Sequence, residues 1–540
     1  MTEKSFWKQM ENFPYTQLTL LCLLRLGEPL VFTSIFSYIF FMIKDFGITK
    51  DILKISTYAG YLSSSFAIFQ FLFCVQHAQA SNKYGRKPIL LFGVFGTGIS
   101  SILFGFSSNF LMAMIARSLM GALNGNISVL RVAVGEIAVE KKHQNIAFSI
   151  LATTWNIGAV IGPLIGSYHL FTRPKIQIEN YNEFVNKYPY AMSNIVFAGY
   201  LFFSLILGFL FLEEPSEEFK GRRDYGLELG NWILKKLGFK KSKSRKGEDE
   251  EQADEEEREV LLSANQVYSS LEEDEEEVID NTLVSARYGE AARRRYSSEQ
   301  LGPVISNNHV TTNVPESYFT REVFTGPVIQ SVISNFLLCF HAVLYSEFLP
   351  VLLASQLINL KWPFTIAGGY GWSSESIGKL LSSTGIIGTI AVIILFPILD
   401  HHLKTVTILR LSFVLIPIAY ASLPYFLFFN QDYDASNPSW LSAFCIYLVA
   451  LILSTVVSIS FCVSMIMVHR SSAIPSHRAF INGAGISLNS LARGISPILF
   501  GHFMTWCNEN EIGGLPWFVL GLIALICLIQ SFFMDEYDGV

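Results

Sequence analysis

Charge is scarce in this sequence. Only 16% of its 540 residues are Asp, Glu, Lys or Arg, against about 25% in soluble domains, and much of that charge is concentrated in one stretch, 214–300. The rest cannot clothe the surface of a soluble protein of this length. The net charge of −6 comes mainly from the same stretch and says little about partners of the whole chain; no nucleic-acid partner is expected. The seven cysteines, Cys22, Cys74, Cys339, Cys445, Cys462, Cys507 and Cys527, include no CxxC pair and no His/Cys metal spacing. Most stand in apolar segments, where a thiol packs as a small apolar group, so neither a metal nor a cofactor is expected. No Walker loop, HExxH or nucleophile elbow occurs, which argues against an ATP-driven pump and a membrane enzyme. A cleavable leader is also missing: Met1 to Tyr15 is polar, and the apolar run after it is too long for a signal-peptide core, so that run is expected to stay as a span.

What is abundant is apolar surface. Hydrophobic residues make up 51% and aromatics 14%. A spanning helix needs roughly 20 mostly apolar residues. Such runs occur at about 17–43, 55–79, 88–107, 110–138, 145–171 and 190–213, then, after a gap of about 110 residues, at 326–355, 374–398, 404–429, 439–468, 477–505 and 514–534. The pattern predicts an all-α polytopic membrane protein with twelve transmembrane helices in two six-helix halves, 1–213 and 326–540, joined by a charged linker, 214–325. The cluster Lys83, Arg86 and Lys87 and the charged linker favour a cytosolic N-terminus, and an even span count puts both termini in the cytosol. Within the linker, basic 235–246 and acidic 248–259 and 272–277 read as unable to bury a core. Glu257-Arg258-Glu259-Val260-Leu261-Leu262 has the form of an acidic dileucine sorting signal, with Glu257, Leu261 and Leu262 facing a sorting adaptor; chance occurrence in an acidic linker is the competing explanation.

Four segments carry chemistry. Between the second and third runs stands Ala78-Gln79-Ala80-Ser81-Asn82-Lys83-Tyr84-Gly85-Arg86-Lys87-Pro88. It resembles the loop motif GxxxD(R/K)xGR(R/K) of the major facilitator superfamily, except that Ala78 replaces the Gly and Asn82 the Asp. Gly85 permits a tight turn, and the cations would meet the anionic leaflet and neighbouring helix ends; a purely topogenic basic loop is the alternative. Asn82 can cap a helix end but cannot form the family's ion pair. The fourth run carries Arg117-Ser118-Leu119-Met120-Gly121, resembling the family's RxxxG motif, whose role is linked to proton coupling. Glu136, farther along, is expected to latch to Arg86. Arg131 either lines a cavity or snorkels to the surface. The fifth run holds Gly158-Ala159-Val160-Ile161-Gly162-Pro163-Leu164-Ile165-Gly166, similar to the GxxxGPxxGG motif of the drug:proton antiporter branch, in which small residues four apart let helices touch. The eleventh has a fainter counterpart, Arg493-Gly494-Ile495-Ser496-Pro497.

The first run opens Arg25-Leu26-Gly27-Glu28-Pro29 and resembles the fungal and plant branch that includes zinc-induced facilitator-like proteins. Arg25 and Glu28 lie one turn apart and can pair on one face. The resemblance implies two pseudo-symmetric halves with spans 1, 4, 7 and 10 lining a central cavity. Glu28 and Glu347 are then the candidate proton-binding carboxylates, and Asn335, His341 and Tyr345 further lining residues; for Glu28 a static ion pair, and for Glu347 a helix end in water, are the alternatives. Removal from water favours the neutral form of an acid, which suits a group that must load and release protons. The resemblance implies a secondary active transporter, a proton antiporter of a small organic solute, drug-like cation or metal chelate. The alternative is a non-transporting nutrient or ion sensor that signals through the acidic linker. On the transporter reading the partners are a small-molecule substrate, protons and the lipid bilayer. A monomer is expected, in the vacuolar membrane or, as the rival site, the plasma membrane.

Overall fold

The computed structural model describes residues 13–138, 141–168, 172, 187–236, 323–430, 439–471 and 475–535. Glu257, Leu261 and Leu262 lie outside the described residues. The twelve apolar runs fold as the twelve rods of a polytopic helical bundle. Eight are long and apolar enough to cross a membrane by length and composition alone. The fifth, Lys141–Ser167, and the eleventh, Pro475–Glu509, begin in polar residues, and the twelfth, Leu515–Ser531, is short.

Three rods depart from the uninterrupted helices that the sequence predicts; the ninth is α-helical over Thr405–Ser422 and finishes as a 3-10 helix, Leu423–Phe429. The first runs Tyr15–Ser34, tightens into a 3-10 turn at Ile35–Ser37 and resumes as Ile39–Phe46, ending on Gly47, whose φ of 64° closes the helix in the left-handed region. The fourth breaks into Phe110–Leu123 and Ile127–Ile137 around Asn124-Gly125-Asn126. Polar amides and glycine disfavour helix interior, and the break sets the Asn124 carbonyl free to accept from Gln70 (3.2 Å). Its first turn is capped by Asn109, whose Oδ1 accepts from Met112 N at 2.9 Å. Outside the helices, β1 (Asn359–Lys361) and β2 (Thr365–Ala367) form a short antiparallel hairpin after the seventh rod. It is tied to the turn between the last two rods by Ile366 N→Glu511 O, 2.8 Å, and Gly513 N→Ile366 O, 2.7 Å.

In the first half, rod 1 packs on rod 5, rod 2 on rod 4 and rod 3 on rod 6; across the halves, rod 2 lies along rod 11 and rod 5 along rod 8. Under a twofold that exchanges the halves, rod 2 maps onto rod 8 and rod 5 onto rod 11, so these two contacts are images of each other. Both are closest at the end of the bundle away from the 82–88 loop. There Thr57 Oγ1 and Thr505 Oγ1 are 2.8 Å apart, Tyr61 Oη meets His502 Nε2 at 2.6 Å, Ser374 Oγ donates to Ser37 O at 2.9 Å and Ser382 Oγ to Val160 O at 3.0 Å. Glycine makes the approach sterically feasible: a Cβ on Gly501 would stand 2.7 Å from Ser56 O. Among the described residues, no hydrogen bond between the halves lies nearer the loop than Gln70–Arg493. The halves are therefore closed at the far end.

Residues 214–236 correct the reading of that edge as unstructured linker. Helix Tyr225–Lys236 forms there, and Gly226 and Gly230 lie against the Phe209 and Leu210 carbonyls of the sixth rod. A second compact unit starts at Trp232; in its described part, Lys236 Nζ sits 5.1 Å from the Trp232 ring centroid.

Candidate transport site and its loop latch

At the loop, rod 2 ends on Gly85, whose φ of 102° is a conformation that side chains rarely adopt. A Cβ there would also stand 2.7 Å from Glu214 Oε2. The turn aims Arg86 at Glu136: Nε is 3.3 Å from both carboxylate oxygens and NH2 is 3.0 Å from Oε1. The guanidinium also donates from NH1 to Asn82 Oδ1 at 2.7 Å, so the amide at the departing motif position keeps the acceptor while losing the charge. Lys83 is exposed, 5.4 Å from the Tyr84 ring.

Lys87 is not a leaflet-facing cation. It is buried, and Nζ donates to Phe209 O at 3.0 Å and Asp224 Oδ2 at 2.6 Å. Glu214 caps the third rod: Oε1 accepts from Arg86 N at 2.7 Å and Oε2 from Lys87 N at 3.0 Å, placing negative charge at the positive end of the helix dipole. Sequence reasoning missed Glu214 and Asp224, because they sit in the segment whose composition reads as linker. The available signal was Glu213-Glu214 directly after the sixth run, two acids beside a loop that lacks its own. Desolvation works to raise the Asp224 carboxyl, but the Lys87 ammonium and the N–H groups of Leu227 and Gly226 outweigh it and hold the group below the usual carboxylate range.

The glycines of the fifth rod face the first. A Cβ would stand 2.8 Å from Pro29 Cβ at Gly158, 2.8 Å from Leu30 O at Gly162 and 2.5 Å from Ser34 O at Gly166. Pro163 O faces rod 8, 3.0 Å from where a Cβ on Gly378 would lie. The motif thus joins rod 5 to rod 1 on one face and to the other half on the next.

Midway along the bundle a polar network joins the halves. Arg25 and Glu28 form a buried ion pair, and the Arg25 guanidinium lies 5.0 Å from the Trp155 ring centroid. Gln70, fully buried, donates to Glu28 Oε1 at 3.0 Å and accepts from Arg493 NH2 at 3.0 Å. Arg493 also reaches Ser490 Oγ at 3.3 Å. The Phe32 ring is near two guanidiniums, 5.7 Å from Arg493 and 5.8 Å from Arg117. Arg117 is 1% exposed and is housed by Phe32, Phe66 at 5.0 Å and Phe104 at 5.8 Å. Glu347, 4% exposed, is enclosed rather than at a wet helix end; Ser63 is beside it and Arg117 and Arg493 are within electrostatic range. Arg131 is half-buried and within range of Arg25 and Arg493.

The remaining residues singled out from the seventh run bind within their own half. Asn335 accepts from Ser464 Oγ at 3.2 Å and donates to Asn489 Oδ1 at 3.4 Å. His341 Nδ1 is 3.1 Å from Tyr420 Oη, and Tyr345 packs its ring on Tyr420, centroids 5.3 Å apart. Gln70, the link between Glu28 and Arg493, had no sequence signal beyond being one amide in an apolar run.

The helical fold agrees with comparisons with known proteins. The family model described as "Major Facilitator Superfamily" matches residues 21–497, and the chain belongs to that superfamily of membrane transporters. It is 33% identical to the major facilitator superfamily multidrug transporter mfsB of Aspergillus fumigatus, over 97% of this chain and 84% of that one. It is 24% identical to the protein ZINC INDUCED FACILITATOR 1 of Arabidopsis thaliana, over 97% and 93%. Among solved structures, a D-xylose-proton symporter superposes with a TM-score of 0.62 at 12% identity, covering 98% of this chain and all of that one, a likeness of fold alone.

Proposed function

We propose that this chain is a proton-coupled antiporter of a small organic solute that works by alternating access. The observation that carries the reading is the link Glu28–Gln70–Arg493, which couples a buried carboxylate of the first half to a guanidinium of the second at the level where the halves part. Protonation of Glu28 or Glu347 changes the charge in that link and so biases the far-end-closed state against its opposite. The loop latch Arg86–Glu136, braced by Glu214, would hold the first half together as it rocks, and the Gly158, Gly162, Pro163 and Gly166 face would act as the hinge seam. Arg131, Asn335, His341 and Tyr345 would line the path.

The organisation that goes with this reading is 1–213 and 326–540 as the moving halves and 214–325 as a cytosolic connector. Both termini are then in the cytosol, and the dileucine-like run directs the protein to the vacuolar membrane. The relatives named for multidrug transport and zinc-induced facilitation favour a transporter over a sensor. The test uses the full chain in proteoliposomes, an imposed pH gradient, and the solute that cells lacking the protein fail to clear. Glu28→Gln and Glu347→Gln are expected to abolish gradient-driven exchange. Unchanged exchange in either variant removes that residue from the mechanism.

A further inference from the structure

The site between the halves is unbalanced in charge. Four guanidiniums, Arg25, Arg117, Arg131 and Arg493, share it with two carboxylates, Glu28 and Glu347. Glu28 is already engaged by Arg25 and Gln70. Arg117 is sealed among rings with Nε and NH2 unpaired. Arg131 and Arg493 make no ion pair among the described residues, yet each lies within repulsive range of the other, and both do so with Arg25. Both keep partial exposure rather than being fully enclosed. Glu347 lies within attractive range of Arg493, but among the described residues no carboxylate forms an ion pair with either guanidinium. Like charges gathered in a low-dielectric interior destabilise the empty site unless something of opposite sign completes it.

We propose that the solute carried is an organic anion, whose carboxylate or phosphate oxygens bind the Arg131 and Arg493 guanidiniums while its apolar body lies against Phe32 and Trp155. The planar fork of arginine matches both oxyanion types, and Phe32 and Trp155 stand 6.0 Å apart as a ready apolar wall. A cation of similar size would meet four guanidiniums against two carboxylates, of which Glu28 is already paired with Arg25 and only Glu347 is left to receive it. The assignment rests on the transporter reading above in taking this cluster as the site of binding.

The purified full chain is melted, with intrinsic fluorescence as readout, in succinate, citrate, glucose 6-phosphate, inorganic phosphate or tetraphenylphosphonium at matched ionic strength. A carboxylate or a phosphate ester is expected to raise the melting temperature, and the difference between those arms tells which oxyanion is read. Arg493→Gln and Arg131→Gln should each lose that rise, and Arg493→Lys should regain part of it. A rise with tetraphenylphosphonium alone, no rise with any anion, or a rise unchanged in both glutamine variants overturns the proposal. The same probes are added to proteoliposomes holding a pH-sensitive dye. Anion binding without proton movement leaves the anion assignment standing and removes proton coupling. Proton movement driven by tetraphenylphosphonium does the reverse.

Discussion

Replacing Gln70 with leucine removes one cross-half hydrogen bond and leaves the helix interior apolar. Gln70 makes two kinds of contact. Its bonds to Glu28 and Asn124 lie within the first half and persist if that half moves as a body, so their loss lowers overall stability without favouring either state. Its bond from Arg493 crosses the halves and exists only while they are closed at this level. Hydrogen bonds inside membrane proteins average about 0.6 kcal/mol, and those to charged groups reach about 3 kcal/mol. The ratio of closed to open far end should therefore fall about 3- to 150-fold, a tenfold change corresponding to about 1.4 kcal/mol. The populations can be read as distance distributions between spin labels at the exposed Lys50 and Asn510 in a cysteine-free background. An unchanged ratio would refute the claim that this bond helps set the balance.

Three further outcomes are expected. Gly162→Val drives a side chain into Leu30 O and Ser34 N, 2.8 and 3.2 Å from its Cβ position, and should cost about 1–3 kcal/mol; Gly199→Ala, with nothing within 4 Å, is the control, and equal melting temperatures would contradict the seam. Glu214→Ala strips the acceptors from Arg86 N and Lys87 N and should cost about 1–3 kcal/mol, with Glu213→Ala near neutral in the same thermal assay. The Asp224–Lys87 pair should contribute under about 1 kcal/mol after solvent screening. Because the folded carboxyl lies below its ordinary value of 3.8, that contribution is present above this pH and lost as pH falls through the folded value; the melting difference between wild type and Asp224→Asn should shrink in acid.

The twelve rods were readable because apolar length does not depend on how the helices pack. The break at Asn124–Asn126 was not, since one Gly flanked by amides is common inside spanning helices and only the close approach of rod 2 shows what the break is for. Arg86 meets Glu136 through a turn that Gly85 makes evident in the sequence. Its brace, Glu214, was hidden because composition averages over a window and the acid sits where apolar span gives way to charged linker. Lys87 reads as a topogenic cation until the sixth rod and Asp224 are seen to enclose it. The Gly158–Gly166 spacing announces a close contact but not which helix fills it. Gln70 and Arg493 lie 423 positions apart, beyond any local pattern, so a link between the halves emerges only when the halves are assembled.

The central claim is that a carboxylate at the junction of the halves takes up and releases a proton. pH-difference infrared spectroscopy of the reconstituted full chain tests it whichever solute is carried. The account predicts a titrating protonated-carboxyl band that disappears in Glu347→Gln or in Glu28→Gln and persists in Glu214→Gln. A spectrum whose carboxyl bands are the same in wild type and in both junction variants would contradict it.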